Sequence, residues 1–193
     1  MKPGSVVFGS ALALLAVTAL SLAGASPALA DSGRTLAIGD SVMLGARSAL
    51  QDLGVQKVDA QVSRRADTAA GLLRERGTGL QRRVVIHLGT NGTFDQQDCR
   101  SIVKAVGPAR RVYLVNIKVP RSWEGPNNAA IARCASSHAD RVALVDWHRA
   151  ASRHPEWLYA DGIHLRPVGA RGYARLIADA IRSDVSHPTF VAT

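Results

Sequence analysis

Four residues in three separated segments have types and spacing that could do acyl chemistry. Gly39-Asp40-Ser41 ends in a hydroxyl, Gly89-Thr90-Asn91 ends in a primary amide, and Asp161-Gly162-Ile163-His164 sets a carboxylate and an imidazole on one short stretch. Nucleophilic serine chemistry needs a base to take the hydroxyl proton and a carboxylate to hold that base in one tautomer. An amide can meet the remaining need, a hydrogen bond to the oxyanion that forms when a carbonyl is attacked. Each segment also has a plainer reading. A serine at the start of a helix is commonly an N-cap, Asn-Gly is a common turn pair, and Asp-x-x-His suits an exposed polar turn or half of a metal site. Asn91-Gly92-Thr93 also matches a glycosylation acceptor, a role that a residue facing an active site would serve poorly. No metal is expected, because no third ligand stands at suitable spacing, and His148 and His154 read as loop residues.

Residues so far apart can work together only if the fold gathers them. Short apolar runs at Leu36–Ile38, Val84–Leu88, Val112–Ile117 and Val142–Val145, with a weaker one at Val55–Val62, predict strands. Their near-continuous hydrophobicity and β-branched residues suit strands covered on both faces. Helical stretches alternate with them at Ser41–Leu53, Ala66–Arg76, Asp95–Val106 and Asn127–His138. In the last helix Tyr173, Leu176, Ile177, Ala180 and Ile181 share one face while Arg171, Arg175 and Asp179 fall away from it, and Pro167 stands at a first-turn position. The alternation predicts a three-layer α/β/α sandwich around a parallel sheet of about five strands. In such sheets the reacting groups gather at the carboxyl ends of the strands. Ser41 follows the first strand, Asn91 the third, and Asp161 and His164 precede the last helix, so all can reach that edge.

The 193 residues, 47% of them hydrophobic, suffice for one domain with a real core. An uncharged apolar run from Val6 to Ala25 follows Lys2 and ends in Pro27-Ala28-Leu29-Ala30, a pattern that signal peptidase cleaves. The expected organisation is a signal peptide over residues 1–30, one catalytic domain over 31–185 and a loosely ordered tail over 186–193. The rival is a retained membrane anchor, since roughly 20 apolar residues can span a bilayer. Cleavage removes one basic residue, Lys2, and leaves 23 basic against 15 acidic residues, a net charge of +8. An exported protein so basic suits polyanionic surroundings such as cell-wall polymers or anionic headgroups. Nucleic acid is not expected as a partner, because the arginines are scattered and Trp, Tyr and Phe number only three each. Cys99 and Cys134, an even count in an oxidising compartment, predict one disulfide between helical stretches that flank one strand, with two buried thiols as the alternative. Closing that loop would add roughly 3 kcal/mol in the chain-entropy model.

Taken in order, Gly39-Asp40-Ser41, Gly89-Thr90-Asn91 and Asp161-Gly162-Ile163-His164 resemble the sequence blocks of the SGNH (GDSL-type) hydrolase family, over essentially all of the chain after residue 30. The resemblance implies Ser41 as nucleophile, His164 as base, Asp161 as its orienting partner, and an oxyanion hole formed by Asn91 with the backbone N–H groups of Ser41 and Ser63. The family has glycine in its second block where this chain has Ser63, which keeps the N–H but lacks glycine's conformational range. Gly39-Asp40-Ser41-Val42-Met43, Leu88-Gly89-Thr90-Asn91-Gly92, Val119-Pro120-Arg121-Ser122-Trp123-Glu124 and His154-Pro155-Glu156-Trp157 are further similar to the extracytoplasmic domain of bacterial peptidoglycan O-acetyltransferases. That similarity implies acetyl transfer at muramic-acid hydroxyls of cell-wall glycan. The acetyl group would come from a separate membrane acyltransferase, or the domain would act alone as an esterase on small acyl esters.

Arg121 and Trp123 could face the glycan through ion pairing and stacking, or Trp123 could simply pin its loop to the core. Asp146 is the second candidate for the triad carboxylate; the three-residue separation from His164 favours Asp161. The mechanism needs no cofactor, and a monomer is expected. From a different class, the chain could be a catalytically silent wall-binding module that keeps the fold.

Overall fold

The structure, a computed structural model, describes Met1 and residues 35–186. The expected signal peptide and the tail beyond Ser186 lie outside the described residues. Five strands, β1 (Thr35–Gly39), β2 (Lys57–Ala60), β3 (Arg83–His87), β4 (Arg111–Val115) and β5 (Val142–Val145), form one sheet in the order β2-β1-β3-β4-β5. Every neighbouring pair is parallel. The chain leaves β1 toward β2 and returns to place β3 on its other side. The strand order therefore reverses between β1 and β3, where a crevice opens beyond their carboxyl ends.

Alternation along each strand builds two cores. Leu36, Ile38, Val84, Ile86, Val112 and Leu114 point to one face and pack with α3 (Ala69–Glu75), α4 (Gln96–Val106) and α5 (Glu124–Ser137). Ala37, Val85, Tyr113 and Val115 point to the other and pack with α1 (Ser41–Gly45), α2 (Arg47–Asp52), α6 (Trp147–Arg153) and α7 (Pro167–Ser186). The three expected layers and the five-strand sheet are thus present. Cys99 on α4 and Cys134 on α5 are joined in a disulfide within one layer. No helix among the described residues is long and apolar enough to cross a membrane.

Several local expectations need correction. The outer strands are not covered on both faces: Leu144 of β5 is 39% exposed, and β2 is buried only at Ala60. The helix expected over Ser41–Leu53 is two short helices, broken after Gly45, the weakest helix former in the stretch. His148 is not a loop residue. It lies on α6, which Asp146 caps through a hydrogen bond from the Arg149 amide, and its Nε2 stands 3.0 Å from Glu124 Oε1. Ser186, assigned to the tail, is the last residue of α7.

Below the crevice, His87 is fully buried at the end of β3, with Nδ1 2.7 Å from the Tyr173 hydroxyl and the two rings stacked. Burial holds its pKa below the ordinary 6.5, against the raising effect of nearby Asp40. The unfolded chain therefore takes up a proton near pH 6.5 that the native state refuses. Stability from this group is complete above that pH and declines as pH falls through the window beneath it. Urea unfolding should show stability falling as the pH is lowered from about 7.5 toward about 5.5, with a slope contribution of at most one proton from this group. His87→Gln should lose that contribution, and equal slopes in the two proteins would show that His87 is not its source.

Candidate active site

Asp40, fully buried, caps α1: its Oδ1 accepts from the Val42 amide at 3.0 Å. Ser41 is therefore the first helical residue and not the cap, which leaves its hydroxyl for other partners. Gly39 makes this abrupt exit from β1 possible, because a Cβ there would lie 2.4 Å from Met43 Cβ. The helix is a single turn, so the help it can offer an anion is mainly the Ser41 N–H itself and not the field of a long helix.

Asp161 and His164 stand on a tight loop ahead of α7. Asp161 Oδ1 accepts from the amides of Ile163 and His164 at 2.9 and 3.0 Å, which leaves Oδ2 facing the ring. Oδ2 lies 2.6 Å from His164 Nδ1, and His164 Nε2 lies 3.2 Å from Ser41 Oγ. A serine and a histidine 123 positions apart thus meet within hydrogen-bonding reach. Burial opposes ionisation of Asp161, but the hydrogen bonds from the His164 ring and the two amides outweigh it and hold the carboxyl below its ordinary range. The loop is fastened by Tyr159 N to His164 O, Arg166 N to Trp157 O, and a bridge between Leu158 and Leu165. Asp146, the second carboxylate candidate, is engaged elsewhere, accepting from Asn116 Nδ2 at 2.8 Å.

The loops after β2 and β3 bring Ser63 and Asn91 to the same cleft. Ser63 has φ of 58°, and among the described residues it is the only non-glycine in the left-handed region. This is the conformation that glycine adopts freely and serine adopts at a cost of about 1 kcal/mol. Replacing it with glycine removes that cost but frees the unfolded chain by about 0.4–1 kcal/mol, so the two effects nearly cancel. We expect Ser63→Gly to keep the melting temperature within a few degrees, whereas Ser63→Val, β-branched at positive φ, should lose about 1–3 kcal/mol in a denaturant titration. Equal stability of the two variants would contradict this backbone assignment.

Arg64 was not singled out from sequence, yet it fastens the site. Its guanidinium, 8% exposed, donates to the Gly39 carbonyl ahead of the Ser41 turn and to the Asp59 carbonyl and carboxylate. Its own carbonyl accepts from Asn91 Nδ2 at 3.3 Å, fixing which way that amide points and leaving its second hydrogen to face the cleft. Asn127 on α5 does the same for the Asn91 loop, donating to the carbonyls of Gly89 and Gly92 and accepting from the Phe94 amide. The signal available in the sequence was position alone: Arg64 directly follows the second block.

The cleft measures about 470 Å³, and four loops beyond the strand ends line it besides Ser41. Arg121 and Trp123 line it, and so do Arg65 and Thr90, neither of them assigned a role from sequence. Trp123 is only partly buried and stands at the N-cap of α5, so pinning the loop and facing the cleft are compatible for it. Among the described residues, one group of His, Cys, Asp and Glu side chains has metal-ligand proximity, Cys99, Cys134 and His138, and its two sulfurs are bonded to each other.

The chain resembles known proteins over about four-fifths of its length. It is 40% identical over 158 residues to YrhL of Bacillus subtilis (strain 168), provisionally assigned as a peptidoglycan O-acetyltransferase, covering 80% of this chain and 25% of that one. It is 32% identical over 156 residues to the O-acetyltransferase OatA of Staphylococcus aureus (strain NCTC 8325 / PS 47), covering 79% of this chain and 26% of OatA. The chain thus spans about a quarter of the length of these relatives. Among solved structures, it superposes on the C-terminal catalytic domain of Streptococcus pneumoniae peptidoglycan O-acetyltransferase A, determined with a methylsulfonyl adduct, at a TM-score of 0.70 and 29% identity, covering 80% of this chain and 95% of that domain. No protein-family model matches the sequence.

Proposed function

The chain belongs to the SGNH (GDSL-type) hydrolases, beside the catalytic domains of peptidoglycan O-acetyltransferases, and from that premise we propose that it is an exported serine-dependent acyl-ester hydrolase or acyltransferase acting on O-acetyl groups of cell-wall glycan. The observation that supports it most is the unbroken chain of contacts from Asp161 through His164 to Ser41 at the strand-order reversal, with Asn91 and Ser63 lining the same cleft.

In the first step Ser41 Oγ attacks the ester carbonyl as its proton passes to His164 Nε2. The carboxylate of Asp161 holds Nδ1–H and steadies the imidazolium that forms. The oxyanion is received by the Asn91 amide and the N–H groups of Ser41 and Ser63. Collapse of the adduct breaks the bond to the leaving oxygen, which takes the proton from His164 and leaves an acyl-serine. An incoming hydroxyl then gives its proton to His164 and attacks the acyl carbon; collapse of this second adduct breaks the bond to Ser41 Oγ, which takes the proton back from His164 and restores Ser41. If that hydroxyl is water, the reaction is hydrolysis; if it belongs to a sugar, it is transfer. Arg121 and Trp123 would hold the glycan at the mouth of the cleft. The acyl group would come from a separate membrane acyltransferase or from a small activated ester, and the domain would act as a monomer.

The experiment follows acetate release and acetyl transfer to a chitooligosaccharide from one activated acetyl ester. Acetylated oligosaccharide in preference to acetate would establish a transferase, and acetate alone an esterase. Neither product from folded protein would overturn the enzymatic reading in favour of a wall-binding module.

A further inference from the structure

Two guanidiniums and no carboxylate line the cleft. Arg65 comes from the loop after β2 and Arg121 from the loop after β4. The neighbouring Arg64 shows how this fold treats a structural arginine, tucking it away and pairing it with Asp59. Arg65 and Arg121 are handled differently. Arg65 is 56% exposed and gives only its Nε to a carboxylate, Asp67, at 3.3 Å. Arg121 is exposed, and among the described residues it donates only to the carbonyl of Pro120 beside it and has no carboxylate partner. Like charges at one cleft repel in the absence of a counter-ion, modestly because both are solvated. An anion brought by the substrate would relieve that repulsion.

We propose that the cleft selects acyl esters or acceptors bearing an oxyanion, a carboxylate or a phosphate, close to the reacting oxygen, and that Arg65 and Arg121 bind it. This rests on the acyl-transfer reading of the same cleft. The planar fork of a guanidinium matches either oxyanion, and a bound carboxylate or phosphate would fix the substrate's orientation against Ser41. It also makes a neutral ester of equal size a poorer substrate, because nothing else in the cleft replaces the lost ion pairs.

The test compares 4-acetoxyphenylacetate with its methyl ester, in which a methylene insulates the reacting ester from the charge. At low salt the wild-type protein should favour the anion about 3- to 10-fold in kcat/KM, and the preference should shrink as salt is raised. The double variant Arg65→Ala/Arg121→Ala should bring the ratio to about one. Arg100→Ala/Arg133→Ala, which removes equal charge from another cavity of the surface, should leave it unchanged and so separates the site from the overall basicity. A third ester, 4-acetoxybenzylphosphonate, distinguishes the sources: a larger preference for it assigns a phosphate-bearing substrate, a smaller one a carboxylate. A wild-type ratio of one, or the same ratio in the cleft variant, would overturn the proposal while leaving the acyl-transfer reading intact. If no ester is turned over, that reading fails first. The oxyanion site is then decided by binding of 4-hydroxyphenylacetate and its methyl ester to the Ser41→Ala protein, followed by NMR. Tighter binding of the acid, lost on removing the two arginines, supports the site, and equal binding refutes it. Circular dichroism of each variant ties these readings to folded protein.

Discussion

Ser41→Ala should lower kcat for acetyl-ester turnover by about 10⁴- to 10⁶-fold, the loss expected when the nucleophile of a triad is removed and only binding and oxyanion contacts remain. The fold should be untouched. Asp40, not Ser41, makes the capping hydrogen bond that starts α1, and the Ser41 hydroxyl has its contact with His164 Nε2 at the surface. The melting temperature and the near-ultraviolet spectrum should therefore match wild type. A variant that is folded and still turns over within tenfold of wild type would show that another group attacks the ester.

Asn91→Ala should cost about 100- to 1,000-fold in kcat, with little change in KM, because the amide is asked to bind charge that exists only in the transition state. Its Nδ2 already donates to the Arg64 carbonyl, so the amide is oriented before substrate arrives and pays little reorganisation on use. The acyl-enzyme should still form, more slowly, and a stopped-flow burst would reveal it. Wild-type-like kcat in a folded Asn91→Ala protein would mean that the oxyanion is held by the backbone N–H groups alone.

Much of this architecture was legible in the sequence, for physical reasons that differ from element to element. β1, β3 and β4 are apolar on both faces because helices cover both, and such runs are hard to mistake. The edge strand β2 was faint because three of its four residues keep some exposure to solvent. α6 escaped notice because Trp147 and Ala151 are its only buried residues, too few to make a periodic signal in seven residues. Ser63 illustrates a signal that reads only one way. Its departure from glycine flagged the position, but φ of 58° was needed to show that the backbone there takes the glycine-like form regardless. The pairing of Ser41 with His164 was approachable because each sits beside an element whose end faces the same edge. Arg64 was not, since its guanidinium reaches carbonyls at two strand ends while its own carbonyl accepts from the Asn91 amide, and no pattern along the chain encodes those contacts. The choice of Asp161 over Asp146 rested on spacing in the sequence and on the 2.6 Å contact in space.

The proposed reaction depends on an activated Ser41 hydroxyl, and covalent labelling of the folded protein by a fluorophosphonate reads that directly. Peptide mapping by mass spectrometry should find one equivalent of probe on Ser41. Labelling should be lost on denaturation and slowed at least 100-fold in His164→Ala, where no base remains to take the proton. Folded protein that stays unlabelled, or that carries the probe on some other residue, would contradict it.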